Sequence, residues 1–262
     1  MAGILILIGV IILFILLKQP GRKKELYQLP ANTDALLLEH VDFYRDLDDQ
    51  GRASFRERVQ GFLSGVSVTG IGTEVEDLDR LLIASGAIIP IFAFPGWQYN
   101  NISEVLVYKD TFSSDYRVEG DDRSVLGMVG DGALNRQMII SKPSLRSSFR
   151  RGTDGHNTVI HEFVHLIDKA DGAVDGIPEY LLAKPYIIPW VRRMRDTIAE
   201  MRRNRNRDID PYGATNEAEF FAVMAEYFFE RPEMLKERHP ELYEDLAAMF
   251  GTPEGKADTG RG

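Results

Sequence analysis

The sequence predicts an α+β lobe followed by a mainly helical lobe, the two sharing one interface, behind a single N-terminal transmembrane helix. Three observations carry this reading. Residues 2–17, AGILILIGVIILFILL, contain no polar side chain. Short β-like runs occur only in the middle of the chain, at 105–108 and 137–141. From Thr158 onward the apolar spacing is mainly helical.

The first run makes about 25 Å of helix at ~1.5 Å per residue, slightly short of a hydrocarbon core of ~30 Å. No basic residue precedes it and no A-x-A site follows, which argues against a cleaved signal peptide. The positive charges come afterwards, at Lys18, Arg22, Lys23 and Lys24. The positive-inside rule then leaves that flank and everything after it in the cytoplasm. The expected placement is therefore a single-pass protein of the cell membrane, with residues 1–17 as anchor and 2–17 in contact with the lipid bilayer. Residues 18–34, with Pro20-Gly21 and Pro30, read as a juxtamembrane linker. Residues 251–262, GTPEGKADTGRG, read as a disordered tail. That leaves 35–250 for the folded domain.

Within that domain, Leu36, Leu37, Val41, Phe43 and Tyr44, then Phe55, Val59, Phe62 and Leu63, give 35–63 a helical spacing. A second helix is expected over 76–89, stopped by Pro90. The polar, Gly-rich stretch 119–132 between the two β-like runs reads as loop. Tyr227, Phe228 and Phe229, with Phe220 and Phe221, are expected in the core.

Composition narrows the chemistry. The 262 residues are 44% apolar and 27% charged, which suits a globular domain. A formal net charge of -9 argues against direct nucleic-acid binding. There is no cysteine, so disulfides, thiolate nucleophiles and Cys-ligated metals are excluded, leaving His and carboxylate as metal ligands.

The strongest motif is His161-Glu162-Phe163-Val164-His165. Histidines at i and i+4 of a helix point at one metal from one face, and zinc needs neutral imidazoles. Glu162 lies beside that face without being a ligand, where it can take a proton from the attacking water. With 5 His among 262 residues, HExxH arises by chance in about 0.7% of sequences of this composition. Val159, Ile160 and Ile167 make the flanks apolar, as a buried helix requires. For a third ligand, neither His40 nor His239 sits in a comparable setting and no HxxGxxH continuation follows. The candidates are carboxylates of 212–226, YGATNEAEFFAVMAE. Glu219 and Glu226 are two turns apart on one face, with Glu217 as a further rival. Spacing alone also allows Glu219 to be the return arm of a capping box from Asn216, and Glu226 a solvated carboxylate.

HEFVHLIDKADGAVDGIP followed by YGATNEAEFFAVMAEYFFERP resembles the MtfA family of zinc peptidases (Mlc titration factor A, glucose-regulated metallopeptidases). FYRDLDDQGRASFRERVQGFL, LLIASGAIIPIF and VLVYKDTF are similar to it too, so the resemblance covers roughly 35–250. It implies a zincin-like metallopeptidase domain. It also implies Zn2+ held by His161, His165 and Glu219, with Glu162 as catalytic carboxylate. The family's tyrosine seven residues before the third ligand falls on Tyr212, expected to donate a hydrogen bond to the tetrahedral oxyanion. The implied reaction is hydrolysis of a peptide or protein substrate, with aminopeptidase activity carried over from the family. The family's namesake partner is a sugar-responsive transcriptional repressor. A second function class follows from that: a membrane-tethered module that sequesters a cytoplasmic regulator, with zinc structural. The intact Glu162 argues against it, since a purely structural zinc site has no need of that carboxylate.

Other residues carry two readings each. Asp168 is either an acceptor for a ligand imidazole or a helix-end carboxylate. Asp171-Gly172 and Asp175-Gly176 are turn dipeptides, too widely spaced in acids for a calcium loop. His156 reads as structural. The run 136–141 is either the edge strand on which a substrate backbone is laid or an ordinary internal strand. The seven arginines of 192–207 read as a solvated helix face, with anionic lipid or a docked regulator as the alternative.

Overall fold

The computed structural model describes residues 26–110, 127–129, 136–150, 155–203 and 208–251. The proposed anchor at 2–17, the linker up to residue 25, most of the Gly-rich stretch 119–132 and the tail from 252 lie outside the described residues. Among those described, no helix is long and apolar enough to cross a membrane. A mixed, helix-dominated α+β architecture is observed, with one small sheet.

The expected helical stretch is broken into α1 (Thr33–His40), α2 (Asp42–Asp46) and α3 (Asp49–Gly65). The breaks fall at Val41 and Leu47, both extended and both buried. Asp48 starts α3 by accepting the Gly51 N–H at 2.7 Å, a side-chain N-cap. Phe55, Val59, Phe62 and Leu63 form its buried stripe. The chain joins the body before residue 35: the Tyr27 N–H donates to Ser64 Oγ at 2.9 Å, and Gln60 Nε2 donates to the Tyr27 carbonyl at 2.8 Å.

Strand β1 (Ser67–Ile71), helix α4 (Asp77–Ile88), and strands β2 (Glu104–Tyr108), β3 (Gly127–Val129) and β4 (Gln137–Ser141) follow. Strand order is β1-β2-β4-β3, with β1, β2 and β4 parallel and β3 antiparallel to β4. Val105 sits between Val68 and Met138, and Val107 between Gly70 and Ile140. Of the two readings of 136–141 the internal strand holds: β4 is hydrogen-bonded on both sides, so the edge beside it belongs to β3. One expectation is corrected: β3 lies inside the stretch expected to be loop.

Helix α5 (Lys142–Ser148) follows β4 directly and is tied to α4 by a buried carboxylate. Asp79 is fully buried and meets Arg146 Nε at 2.6 Å and Lys142 Nζ at 3.2 Å. Two cations on one carboxylate meet the requirement that a buried charge be paired. Helix α6 (Thr158–Asp168) packs against α4, α5, β3 and α8 (Glu217–Glu230). It buries Val159, Ile160, Phe163, Val164, Leu166 and Ile167 in the core, and the same helix is strongly amphipathic, with His161, Glu162 and His165 among its polar residues. At the α4–α6 crossing a Cβ on Gly86 would lie 2.4 Å from Val159 Cγ1. Gly86→Ala should therefore destabilise the fold by ~1–2 kcal/mol, because overpacking against a stiff β-branched side chain outweighs the helix propensity gained. Thermal unfolding should show a drop of a few degrees; an unchanged or raised midpoint would mean the two helices can part there.

The remainder is helical, as expected: α7 (Lys184–Arg202), a 3-10 turn (Pro211–Ala214), α8, α9 (Pro232–Arg238) and α10 (Pro240–Phe250). Phe220, Phe221 and Phe228 are fully buried, and Phe221 stacks on Phe250 with centroids 5.6 Å apart. On α7 the arginines do more than face water. Arg193 pairs with Asp245 at 2.6 Å and with Glu241. Arg202 Nε donates to the Ala214 carbonyl at 2.9 Å, holding the 3-10 turn.

Candidate metal centre

Helix α6 is placed by its first residue. Asn157 is the N-cap and its Oδ1 accepts the Ile160 N–H at 3.0 Å. One turn on, His161 and His165 leave the helix on the same side, as i, i+4 spacing demands. Helix α8 begins at Asn216, whose Oδ1 accepts the Glu219 N–H at 2.9 Å. Half of the capping box considered from sequence is thus present, but the Glu219 carboxylate is turned toward the histidines.

Glu219 Oε2 lies 3.0 Å from His161 Nε2 and 3.3 Å from His165 Nε2, and the two Nε2 atoms are 3.1 Å apart. Among the described residues this is the group of three His or carboxylate side chains whose ligand atoms lie within 4.8 Å of one another. Tetrahedral zinc with bonds of ~2.0–2.1 Å needs ligand atoms about 3.3 Å apart. The observed spacings fit a small divalent cation, and the donor set of two imidazoles and one carboxylate suits zinc. Three lone-pair-bearing atoms facing one another also need a proton or a metal between them.

The electrostatics follow. Burial pulls the His161 imidazole down, but the carboxylates of Glu219 and Glu226 outweigh it and hold it up at about 10. Burial pushes Glu219 up, but the two imidazoles hold it down at about 2. In the metal-free protein a proton therefore occupies the cluster, and metal binding must displace it. Glu162 is buried beside the pair. Burial raises its carboxyl above the usual range; the histidines oppose this and Glu219 and Glu226 add to it. Tyr212, on the 3-10 turn, is half exposed, with its ring 6.0 Å from the His161 ring. Burial and the Glu219 carboxylate raise its phenol.

The structure thus brings His161, His165, Glu162, Glu219 and Tyr212 together. The rivals of Glu219 separate from it. Glu217 faces outward, 3.9 Å from Arg195. Glu226 is not solvated, as the sequence had allowed, but buried, and its Oε1 accepts from His161 Nδ1 at 2.6 Å. This is the carboxylate–imidazole contact that fixes a ligand's tautomer and orientation. Sequence reasoning missed that role, although the two-turn spacing from Glu219 places both carboxylates on the α6 side of α8.

Asp168 resolves as a helix-end carboxylate: fully buried, its Oδ2 accepts the Gly176 N–H at 2.9 Å. Burial pushes it up to about 6 despite that bond. The loop it pins passes under α8. A Cβ on Gly176, at φ 74°, would lie 2.5 Å from the Glu217 carbonyl oxygen, so only glycine lets the loop approach there. His156, outside the ligand group, lies 3.1 Å from Asp210.

A buried HExxH helix with a carboxylate from a second helix set against its imidazoles defines a metallopeptidase-type centre. The chain belongs to the glucose-regulated metallo-peptidase M90 family, whose model matches residues 17–251. An uncharacterized protein of Synechocystis sp. is 33% identical over 243 residues, 87% of each chain. Mlc titration factor A of Cronobacter sakazakii is 29% identical, over 69% of this chain and 71% of its own. The Salmonella schwarzengrund protein of that name is 28% identical, over 90% and 91%.

Proposed function

We propose that this protein is a zinc-dependent peptidase in which His161, His165 and Glu219 hold the metal. The observation that carries the reading is the convergence of those three ligand atoms beside the buried Glu162. When bound, zinc supplies Lewis-acid polarisation of the scissile carbonyl and makes water a nucleophile near neutral pH. The rest of the chemistry belongs to the chain. Glu162 takes a proton from the attacking water and passes it to the leaving amine; a carboxyl raised by burial is a better base than a free one. Glu226 keeps the His161 Nδ1 proton in place, so that Nε2 faces the ligand cluster. Tyr212 donates a hydrogen bond to the oxyanion of the tetrahedral intermediate. A library of peptides digested by the protein and read by mass spectrometry tests the proposal. Cleavages that a chelator abolishes are expected, with sites clustered at N-termini if the aminopeptidase preference holds; a zinc-loaded sample that leaves the library intact would refute it.

Tyr212→Phe should lower kcat by ~10²-fold, the scale of one lost oxyanion donor, with little change in KM. A pure KM effect would instead assign Tyr212 to substrate binding. For placement, the apolar run 2–17 and the basic residues behind it support a single-pass membrane protein with its peptidase domain in the cytoplasm. The full chain should then pellet with membranes and resist extraction by high salt, and a C-terminal reporter should read cytoplasm; a reporter signal from the opposite side would overturn the topology. The names of the Salmonella and Cronobacter relatives refer to Mlc, which supports a second role in binding such a regulator.

A further inference from the structure

The tautomer of His161 depends on Glu226, and Glu226 in turn is held from α6 itself. Its second oxygen, Oε2, accepts the backbone N–H of Asn157 at 2.6 Å. That N–H is spare: Asn157 is the N-cap, so the helix makes no claim on its donor. The Asn157 side chain is fully buried and fully used. Oδ1 caps the helix at Ile160. Nδ2 donates both its protons, to the Ser148 carbonyl at 3.0 Å and to Glu230 Oε1 at 2.8 Å. Glu226 and Glu230 are one turn apart on α8. A single residue therefore clips the start of the histidine helix to two successive turns of the helix that carries Glu219, and to the end of α5.

Helix capping does not explain this choice of residue. Serine or aspartate would accept the Ile160 N–H as well as asparagine does. Neither could donate two hydrogen bonds from a buried side chain while still accepting one. What needs asparagine is the pair of donations that fixes where its backbone N–H points. We propose that Asn157, clamped by Glu230, is a positioning residue for the metal. It holds Glu226 at the angle from which that carboxylate orients His161, and so sets the distance of His161 Nε2 from Glu219. The proposal deepens the zinc-peptidase reading and rests on it.

The test is zinc affinity, measured on the full chain by competition with a chromophoric chelator, with unfolding of the metal-free protein followed in parallel. Asn157→Ser keeps the cap and loses both Nδ2 donations. It should weaken zinc binding by ~10- to 100-fold, the scale for losing support behind a ligand; the metal-free unfolding midpoint should fall as well, because two buried hydrogen bonds are lost, so affinities are compared at a temperature where every variant is folded. Glu230→Met, at the half-buried C-terminal end of α8, should weaken zinc to a similar extent, whereas Glu230→Gln, which keeps an acceptor for Nδ2, should keep the wild-type constant. The double variant N157S/E230M should be no worse than the worse single one, because both remove the same clamp. Cobalt substituted for zinc should show displaced visible bands in N157S and E230M but not in E230Q. Affinities of N157S and E230M within twofold of wild type would overturn the proposal, as would E230Q behaving like E230M. Should N157S fail to fold, the two Glu230 variants decide alone. Failure of the underlying reading looks different: the wild-type protein itself would bind no stoichiometric zinc in the same titration.

Discussion

Glu162→Gln is expected to keep one zinc per chain and the unfolding midpoint of the wild type while losing at least ~10²-fold in turnover, the scale of general-base catalysis. The substitution is close to isosteric, so the packing around this buried side chain is preserved. What goes is the ability to accept a proton. Glu162 also contributes negative charge next to two imidazoles, so its removal should weaken the metal slightly rather than release it. The kinetic pattern separates the two function classes. A loss in kcat and in kcat/KM together means the interaction is made in the transition state. Undiminished hydrolysis by the variant would mean that Glu162 is not the base, and a module that only binds a regulator would then be the better account.

The second large effect concerns the carboxylates of α8. Glu219→Ala should abolish stoichiometric zinc binding, because two imidazoles are left to hold the ion. Glu217→Ala should keep the wild-type affinity, since that side chain points at Arg195 and not at the histidines. Glu226→Gln should fall between them, ~10- to 100-fold weaker, because it accepts from His161 without being placed to ligate. Equilibrium dialysis with metal analysis reads all three. Zinc lost in the Glu217 variant and retained in Glu219→Ala would show that the wrong turn of the helix had been assigned.

How much of this was legible in the sequence depends on the range of the interaction that decides it. The α6 helix and its two histidines are local facts of i, i+4 spacing inside an apolar frame, and they stand where the sequence puts them. The aromatic run of α8 likewise reads as core and is core. Glu219 was one of three acids on spacing alone; the family likeness selected it, and the structure brings its carboxylate to the imidazoles. Strand β1 escaped notice because, of its five residues, only Val68 is buried, so no alternation announces it; its partner β2 does that from 37 residues downstream. The edge position of β3 and the internal position of β4 are properties of strand order, which hydropathy does not encode. Glu226 was misjudged for the same reason, and Asn157 drew no reading at all. A carboxylate on an amphipathic helix and an asparagine before one are ordinary surface and cap residues, until a contact 69 residues away in sequence makes them support a ligand.

The central claim is that one zinc ion at His161, His165 and Glu219 makes this chain a peptidase. The most direct measurement is a titration of zinc into protein stripped by chelation, with bound metal and peptide cleavage followed in the same sample. Cleavage should be absent at the start, rise in proportion to bound zinc, and level off at one zinc per chain. Full zinc occupancy without cleavage, or cleavage that runs at its full rate before any zinc is added, would contradict it.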